Sequence, residues 1–215
     1  MPEVVKSYIK TKSFIAAQRF QTAILETYRN DFGKYSKYTN YDLLKTIFDK
    51  VHKIIGLQVT YVGIDSSVQS RELKKAILAL KSAGIITPVY HSKASGVPLG
   101  YQFNESRFKL LFLDVGLVQN ACRLGIDIQM EKDLLQINRG AIAEQFVGQE
   151  LIALQDNDRT PEIYYWHRDE KGSQAEVDYV INVGSKIFPV EVKSGKTGTL
   201  KSLLIFLSEK KRPFG

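Results

Sequence analysis

A single cysteine, Cys122, stands in 215 residues. It rules out an internal disulfide, fits a reducing compartment, and reads as a small buried apolar residue. No apolar run approaches the ~18 residues of a membrane span. Met1-Pro2-Glu3-Val4 opens no signal peptide, because neither an h-region nor a cleavage site follows. The expectation is a cytoplasmic protein without a membrane partner. Histidine is scarce too, with three in all. His167 has no nearby His or Cys and reads as a surface strand residue, not a zinc ligand. A phosphate loop is also missing. Gly195-Lys196-Thr197 looks like the end of one, but the position that needs glycine five residues earlier is Val190. No ATP site is expected in this chain.

What is present is ordinary for a globular protein: 44% hydrophobic and 25% charged residues. The length suits one large or two small domains. Charge is uneven. Residues 1–110 carry 17 Lys and Arg against 8 Asp and Glu, a balance of +9; residues 111–215 carry 13 against 15, a balance of −2. A basic part that binds nucleic acid beside a metal-binding part is one reading; a basic surface kept for solubility is the other.

Residues 1–38 read as helical, with Gly33 as the stop. Residues 39–55 read as a second helix, capped by Asn40, with Leu43, Leu44, Ile47, Phe48, Val51, Ile54 and Ile55 on its apolar face. Gln58–Val62 reads as a short strand. Ser66 and Gln69 have capping-box spacing, although Ser70 also suits a helix start. Leu73, Ala76, Ile77 and Leu80 then follow helical spacing, and Arg71, Lys74, Lys75 and Lys81 take the other face. Residues 85–90 and 99–103 flank a Gly/Ser/Pro-rich loop as a hairpin. Helix, basic helix, hairpin is the winged-helix order. It would bring Arg71, Lys74, Lys75 and Lys81 to a DNA groove, and His91 and Lys93 on the wing to phosphate. Winged helices and lysine-rich faces also serve protein contacts or simply solvation.

The run Phe108–Leu117 reads as buried, with Asp114 capping the helix that follows. Residues 125–137 are a polar connection. Arg139–Leu154 is the clearest helix of the second half, with Ile142, Phe146, Val147, Leu151 and Leu154 buried. Glu144 shares the face of Val147, Gly148 and Leu151, and an acid there needs a partner. Strands at 163–168, 176–181 and 189–193 follow, the first leading into a turn at 169–173. A helix with Leu200, Leu203, Leu204 and Leu207 closes the chain.

Pro189-Val190-Glu191-Val192-Lys193 organises this half. With Val183-Gly184 as a two-residue hairpin loop, Asn182 pairs with Ser185 and Glu176 with Glu191. Asp178 then lies diagonal to Glu191 on the same face. Three carboxylates and Lys193 crowd one patch, where like charges repel unless a cation or proton intervenes. That is the physical case for a divalent-metal site.

Glu144 on a helix, Asp178 on one strand and Glu191-Val192-Lys193 on the next resemble the signature of the PD-(D/E)XK, restriction-endonuclease-like superfamily. Met1-Pro2-Glu3-Val4-Val5, Phe112–Leu117, Tyr165-Trp166 and the stretch from Glu176 to Lys196 resemble the C-terminal part of archaeal and bacterial AAA-type ATPases that end in a domain of unknown function. The resemblance covers essentially the whole chain. It implies an α+β protein in three parts. Residues 1–38 would be a helical linker after an ATPase domain that lies outside this chain. Residues 39–112 would be a winged-helix-like domain. Residues 113–215 would be a nuclease-like core of helix, three-stranded meander and helix, lacking a final strand. It also implies Mg²⁺ or Mn²⁺ held by Asp178, Glu191 and the Val192 carbonyl with Glu144 close by. Lys193, Asp178 and Glu191 would be the catalytic set of a DNA nuclease, and ATP would act only through the other domain. The alternative is a catalytically silent DNA- or protein-binding module coupled to that ATPase.

Overall fold

The N-terminal helical stretch is two helices rather than one. α1 (Pro2–Thr11) ends at Lys12, whose φ of 53° is left-handed, and Ser13 caps α2 (Phe14–Asp31) by accepting the N–H of Ala16 at 3.3 Å. No glycine announces this break. Helix α2 stops before Gly33, and a 3₁₀ turn at Phe32–Tyr35 buries Phe32. The computed structural model describes residues 1–35, 39–123, 139–156, 158, 160–168, 174–194 and 199–210. The polar connection at 125–137, the turn at 169–173, Gly195-Lys196-Thr197 and the chain end at 211–215 lie outside the described residues.

α3 (Tyr41–Ile54) starts as its cap dictates: Asn40 Oδ1 accepts the N–H of Asp42 at 2.8 Å. Leu43, Leu44, Ile47, Phe48 and Val51 are buried along it. α4 (Tyr61–Ile64) replaces most of the strand expected at Gln58–Val62, of which one bridge remains, between Val59 and Phe108. Thr60 captures the N–H of Gly63 and so turns the chain into helix. In α5 (Ser70–Ser82), Leu73, Ala76, Ile77 and Leu80 are buried at i, i+3, i+4 and i+7. The capping box of Ser66 and Gln69 is not formed: the helix starts at Ser70, the other start the sequence allows, with Gln69 as an N-cap that makes no side-chain bond.

Five strands form one sheet: β1 (Ile86–Ser92), β2 (Phe103–Phe112), β3 (Tyr164–His167), β4 (Glu176–Val183) and β5 (Lys186–Val190), in the order β2-β1-β3-β4-β5. β1 and β3 run parallel, while the other neighbouring pairs are antiparallel. The hairpin read as a wing therefore belongs to the same sheet as the carboxylate strands. Leu99–Gln102, expected as strand, is a 3₁₀ turn, and the apolar run supplies the second half of β2. Asp114 Oδ1 then caps α6 (Val115–Ala121) through the N–H groups of Gly116 and Leu117.

Alternation on the strands sorts the layers. Phe108, Leu110 and Phe112 join the core of α3 and α5. Val89, Leu111, Tyr165 and Tyr179 pack with Val147 and Leu151 of α7 (Arg139–Ala153). Tyr164, Trp166, Val177 and Val180 pack with Phe206 of α8 (Lys201–Lys210). Helix α7 packs Ile142, Val147 and Leu151 inward as expected, but Phe146 is 49% exposed and Leu154, just past the helix, 82%. Gln145 is buried in place of Phe146, and its amide accepts the N–H of Phe112 at 2.9 Å and donates to its carbonyl at 2.8 Å. A side chain that satisfies two backbone groups of β2 outranks Phe146 for the inside position.

The β4–β5 register also differs. Val183 pairs with Lys186 and Tyr179 with Val190, so the loop is Gly184-Ser185, with Gly184 at φ +59°. The slip is two residues, which preserves every side chain's face. β5 ends at Val190, so Glu191, Val192 and Lys193 lie just past the strand.

Candidate functional site

A lysine lies at the centre of the acidic cluster. Lys109 is on β2 between Phe108 and Leu110, so the alternation that sends those two into the helical core turns Lys109 towards α7. It is 2% exposed. Its Nζ lies 2.7 Å from Glu144 Oε1 and 3.7 Å from Asp178 Oδ1, and forms a salt bridge with Glu176. The ring of Tyr165 lies beneath it, 5.4 Å from Nζ to centroid.

Each acid is placed by a definite local device. Gln145 fixes α7 against β2 and so turns Glu144, one residue earlier, towards Lys109. Gly148 admits Tyr179, whose hydroxyl donates to the Glu144 carbonyl at 2.7 Å; a Cβ at 148 would lie 2.5 Å from that hydroxyl. On β4, Tyr164 pairs with Val180 but Trp166 with Val177, so Asp178 and Tyr179 together oppose Tyr165. This bulge aims Asp178 at Lys109 while Tyr179 reaches under α7. The connector from α3 covers the cluster from the other side. Gln58 Nε2 donates to Glu176, and Gly56, at φ +72°, brings its backbone against Ala141 and Glu144.

The charges shape one another. Burial pushes Glu144 up to about 7, against the pull of Lys109, with Asp178 and Glu176 adding to the rise. Burial alone would pull Lys109 down, but Glu144 and Glu176 outweigh it and hold the ammonium above its ordinary value. Three carboxylates share one cation, and Glu144 is the most enclosed of them.

Glu191 and Lys193 sit at the edge of this group. Lys193 Nζ bonds Glu191 Oε1 at 2.6 Å, and the Val192 N–H donates to Asp178 Oδ2 at 2.7 Å. The Glu191 side chain is 6% exposed, and its Oε2 has no hydrogen-bond partner among the described residues. Burial raises its pKa, and Asp178 and Glu176 add to the rise. The structure thus gathers Glu144, Asp178, Glu191 and Lys193 in one region. Sequence reasoning named Glu176 only as crowding and passed over Lys109 and Gln58. The available signal for Lys109 was a charge inside the apolar run Phe108–Leu117.

A divalent ion fits these side chains poorly as they are packed. Among the described residues no three His, Cys, Asp or Glu side chains form a metal-binding group. Mg²⁺ requires oxygen ligands at about 2.0–2.1 Å. Here the carboxylate oxygens close on an ammonium instead.

The residues expected at DNA lie on α5, on β1 and just past it. Arg71 and Lys75 are exposed on α5, but Lys75 pairs with Glu72 at 2.9 Å and Lys74 with Glu105 of β2. Lys81 is half-buried and Lys93 exposed. His91 is not on the loop: β1 continues to Ser92, His91 is 4% exposed, and its Nε2 lies 3.2 Å from the His167 carbonyl. It is therefore withdrawn from phosphate. No described helix is long and apolar enough to cross a membrane.

The fold is a mixed α+β arrangement, with eight α-helices and a five-stranded mixed sheet among the described residues. Residues 1–129, more than half of the chain, match the model of a domain of unknown function, DUF8612, and the chain belongs to that family. Residues 139–213 match a second domain of unknown function, DUF4143, which is commonly found at the C-termini of AAA-ATPase-like proteins. No curated protein and no solved structure matches the chain significantly.

Proposed function

We propose that this chain is a DNA-associated module of an ATPase-linked protein, with a PD-(D/E)XK-like core that binds without cutting. The observation that carries the silent reading is the position of Lys109, buried between Glu144, Glu176 and Asp178. A nuclease of this type uses its carboxylates to hold a divalent ion against the scissile phosphate. Here they are already engaged by a side chain. The order α7, β3, β4, β5, α8 and the residues Glu144, Asp178 and Glu191-Val192-Lys193 support the nuclease-like ancestry. The basic first half, with Arg71, Lys75, Lys81 and Lys93, supports the DNA association in the manner of a winged helix.

The test is incubation of the purified chain with plasmid and single-stranded DNA in Mg²⁺ or Mn²⁺, beside a binding titration. The expected outcome is salt-dependent binding with no cleavage. Cleavage that Lys193→Ala abolishes would establish the metal-dependent nuclease instead. That second reading is favoured by Glu191 Oε2, which has no hydrogen-bond partner among the described residues, beside Lys193.

A further inference from the structure

We infer that the cleft between the end of β1 and the turn before β2 is a site for single-stranded DNA, where Tyr101 and Phe103 stack on unpaired bases and Lys93 and Lys210 hold the phosphate chain. This rests on the DNA-binding reading above and deepens it, because it names the form of the DNA and places it away from α5.

The cleft is built by a braced loop. Ser92 is fully buried; its hydroxyl donates to the Leu99 carbonyl at 3.0 Å and accepts the N–H of Ala94 at 3.2 Å. The Lys93 N–H reaches the Gln102 carbonyl at 3.2 Å. Gly100 sits against Tyr164, where a Cβ would lie 2.7 Å from the hydroxyl. These contacts hold residues 93–102 in one shape, beside a cleft of about 610 Å³. A cleft shaped before its ligand arrives avoids part of the ordering cost of binding.

Two aromatic rings line it. Tyr101 is 87% exposed and makes no ring contact among the described residues. Phe103 is 38% exposed, and its ring is anchored by Tyr90 and Tyr164, with centroids at 5.3 and 6.2 Å. A single exposed tyrosine is ordinary. Two rings on one polar cleft form a platform, and a base offers its face to such a platform only when it has left the duplex stack.

The charge beside the rings is positive and unneutralised. Lys93 is exposed, and no acid is among the described residues that line the cleft. Lys210 comes from α8, its ammonium 5.7 Å from the centroid of Trp166. Burial and repulsion from Lys93 pull the Lys210 ammonium below its ordinary value, against the attraction of Glu209, which Arg168 engages at 2.6 Å. The two ammonium groups are thus within electrostatic reach of each other, and neither has a salt bridge among the described residues. An anion between them relieves that repulsion. On α5, by contrast, Lys74 and Lys75 are already paired with Glu105 and Glu72. Unpaired cations beside exposed rings are what a single strand uses, base by base and phosphate by phosphate.

The experiment uses the whole chain and fluorescence anisotropy of three labelled probes: oligo-dT of about eight nucleotides, an abasic strand of the same length, and a duplex. Wild type is expected to bind oligo-dT about tenfold more tightly than the abasic strand. Tyr101→Ala should lose that advantage while leaving its melting midpoint, abasic binding and duplex binding unchanged, and Tyr101→Phe should restore it. Unchanged oligo-dT affinity in Tyr101→Ala, or an equal loss on the abasic strand, overturns the inference. Lys93→Gln/Lys210→Gln should flatten the log–log salt slope for oligo-dT by about 1.4 units, the share of two phosphates on a single strand. An unaltered slope in that folded variant overturns the assignment of the phosphate chain. Oligo-rU bound more tightly than oligo-dT, or a polyglutamate peptide that displaces oligo-dT, overturns the choice of DNA as occupant. Wild type that binds none of the three probes sinks the DNA reading and this inference together. Wild type that binds duplex through Arg71, Lys74 and Lys75, with oligo-dT indifferent to Tyr101, sinks this inference alone.

Discussion

Lys74 and Lys109 both belong to the basic first half of the sequence, and both meet acids, but under opposite conditions. Lys74 is on the solvent face of α5, its side chain 43% exposed, paired with an exposed Glu105. Lys109 is 2% exposed and shared by three acids from the other half of the chain. Net charge per segment counts the two alike. The fold does not: at the surface, water and salt replace a lost partner at little cost, whereas inside, the acids left behind have no substitute. The difference also locates the chemistry, since the +9 of residues 1–110 includes a cation shared by Glu144, Glu176 and Asp178 of the other half.

The sharpest way to break this comparison is to remove both lysine types. Lys109→Met should lower stability in metal-free buffer by roughly 3–5 kcal/mol, the cost of breaking a buried ion pair. Lys75→Ala, which breaks the exposed pair with Glu72, should cost less than about 1 kcal/mol. Urea denaturation of both proteins checks this. Equal losses would show that Lys109 is not enclosed as described.

A smaller loss follows from disturbing the seat of Glu144 while leaving every charge in place. In Gly148→Ala the added methyl meets Tyr179 Oη at 2.5 Å and Leu111 Cδ1 at 2.7 Å. Both belong to packed sheet residues, so α7 must lift. Overpacking of this kind costs about 1–3 kcal/mol. If α7 carries Glu144 away from Lys109, Gly148→Ala and Glu144→Gln should be non-additive in a double-mutant cycle. Simple additivity would uncouple the helix seat from the cluster.

The acids should also make stability depend on pH in a definite direction. Glu144 has its folded pKa raised from 4.5 to about 7. The unfolded chain therefore releases this proton first. The contribution of Glu144 is fully present below about pH 4.5 and is lost as pH rises towards 7. Melting midpoints of wild type should fall across that window relative to Glu144→Gln, which has no proton to lose there. Parallel profiles for the two proteins would contradict the placement of Glu144.

Much of the helical half was legible because its signals are local. Asn40 and Asp114 cap as their positions require, and Leu73, Ala76, Ile77 and Leu80 are buried at helical spacing. The acidic cluster was legible in part. A hairpin register wrong by two residues keeps every strand side chain's face and still brings Glu191-Val192-Lys193 beside Asp178. Lys109 was not legible. Its partners are 35, 67 and 69 residues away in Glu144, Glu176 and Asp178, by subtraction of the residue numbers. The docking of α7 on β2 brings Glu144 to it, and the parallel placement of β3 beside β1 brings Glu176 and Asp178 of β4. No local pattern encodes that pairing, which also puts His91 inside a sheet instead of on a wing. Gln145 was missed for a related reason: periodicity favours Phe146, while the bonding needs of Phe112 on another element favour the amide.

The smallest expected effect concerns the exposed member of the comparison. If α5 meets DNA, Lys74 must leave Glu105 to reach a phosphate, so Glu105 acts as a competitor for the same ammonium. Glu105→Gln removes that competitor and one negative charge near the backbone of a bound duplex. Affinity for duplex DNA should rise by a few fold at low salt, with log K falling more steeply against log salt by at most about one unit, the contribution of a single phosphate contact. The opposite change, Arg71→Ala/Lys74→Ala/Lys75→Ala, should flatten the same slope by about two to three units. Thermal midpoints should be unchanged in both, because these side chains are exposed. The pair of measurements has a built-in control in Lys109, which lies on the other side of the sheet and cannot reach phosphate from there. A Glu105→Gln protein that binds DNA with unaltered slope, together with an unaltered triple variant, would assign α5 to a protein partner and leave Lys93 and the hairpin as the remaining basic contacts.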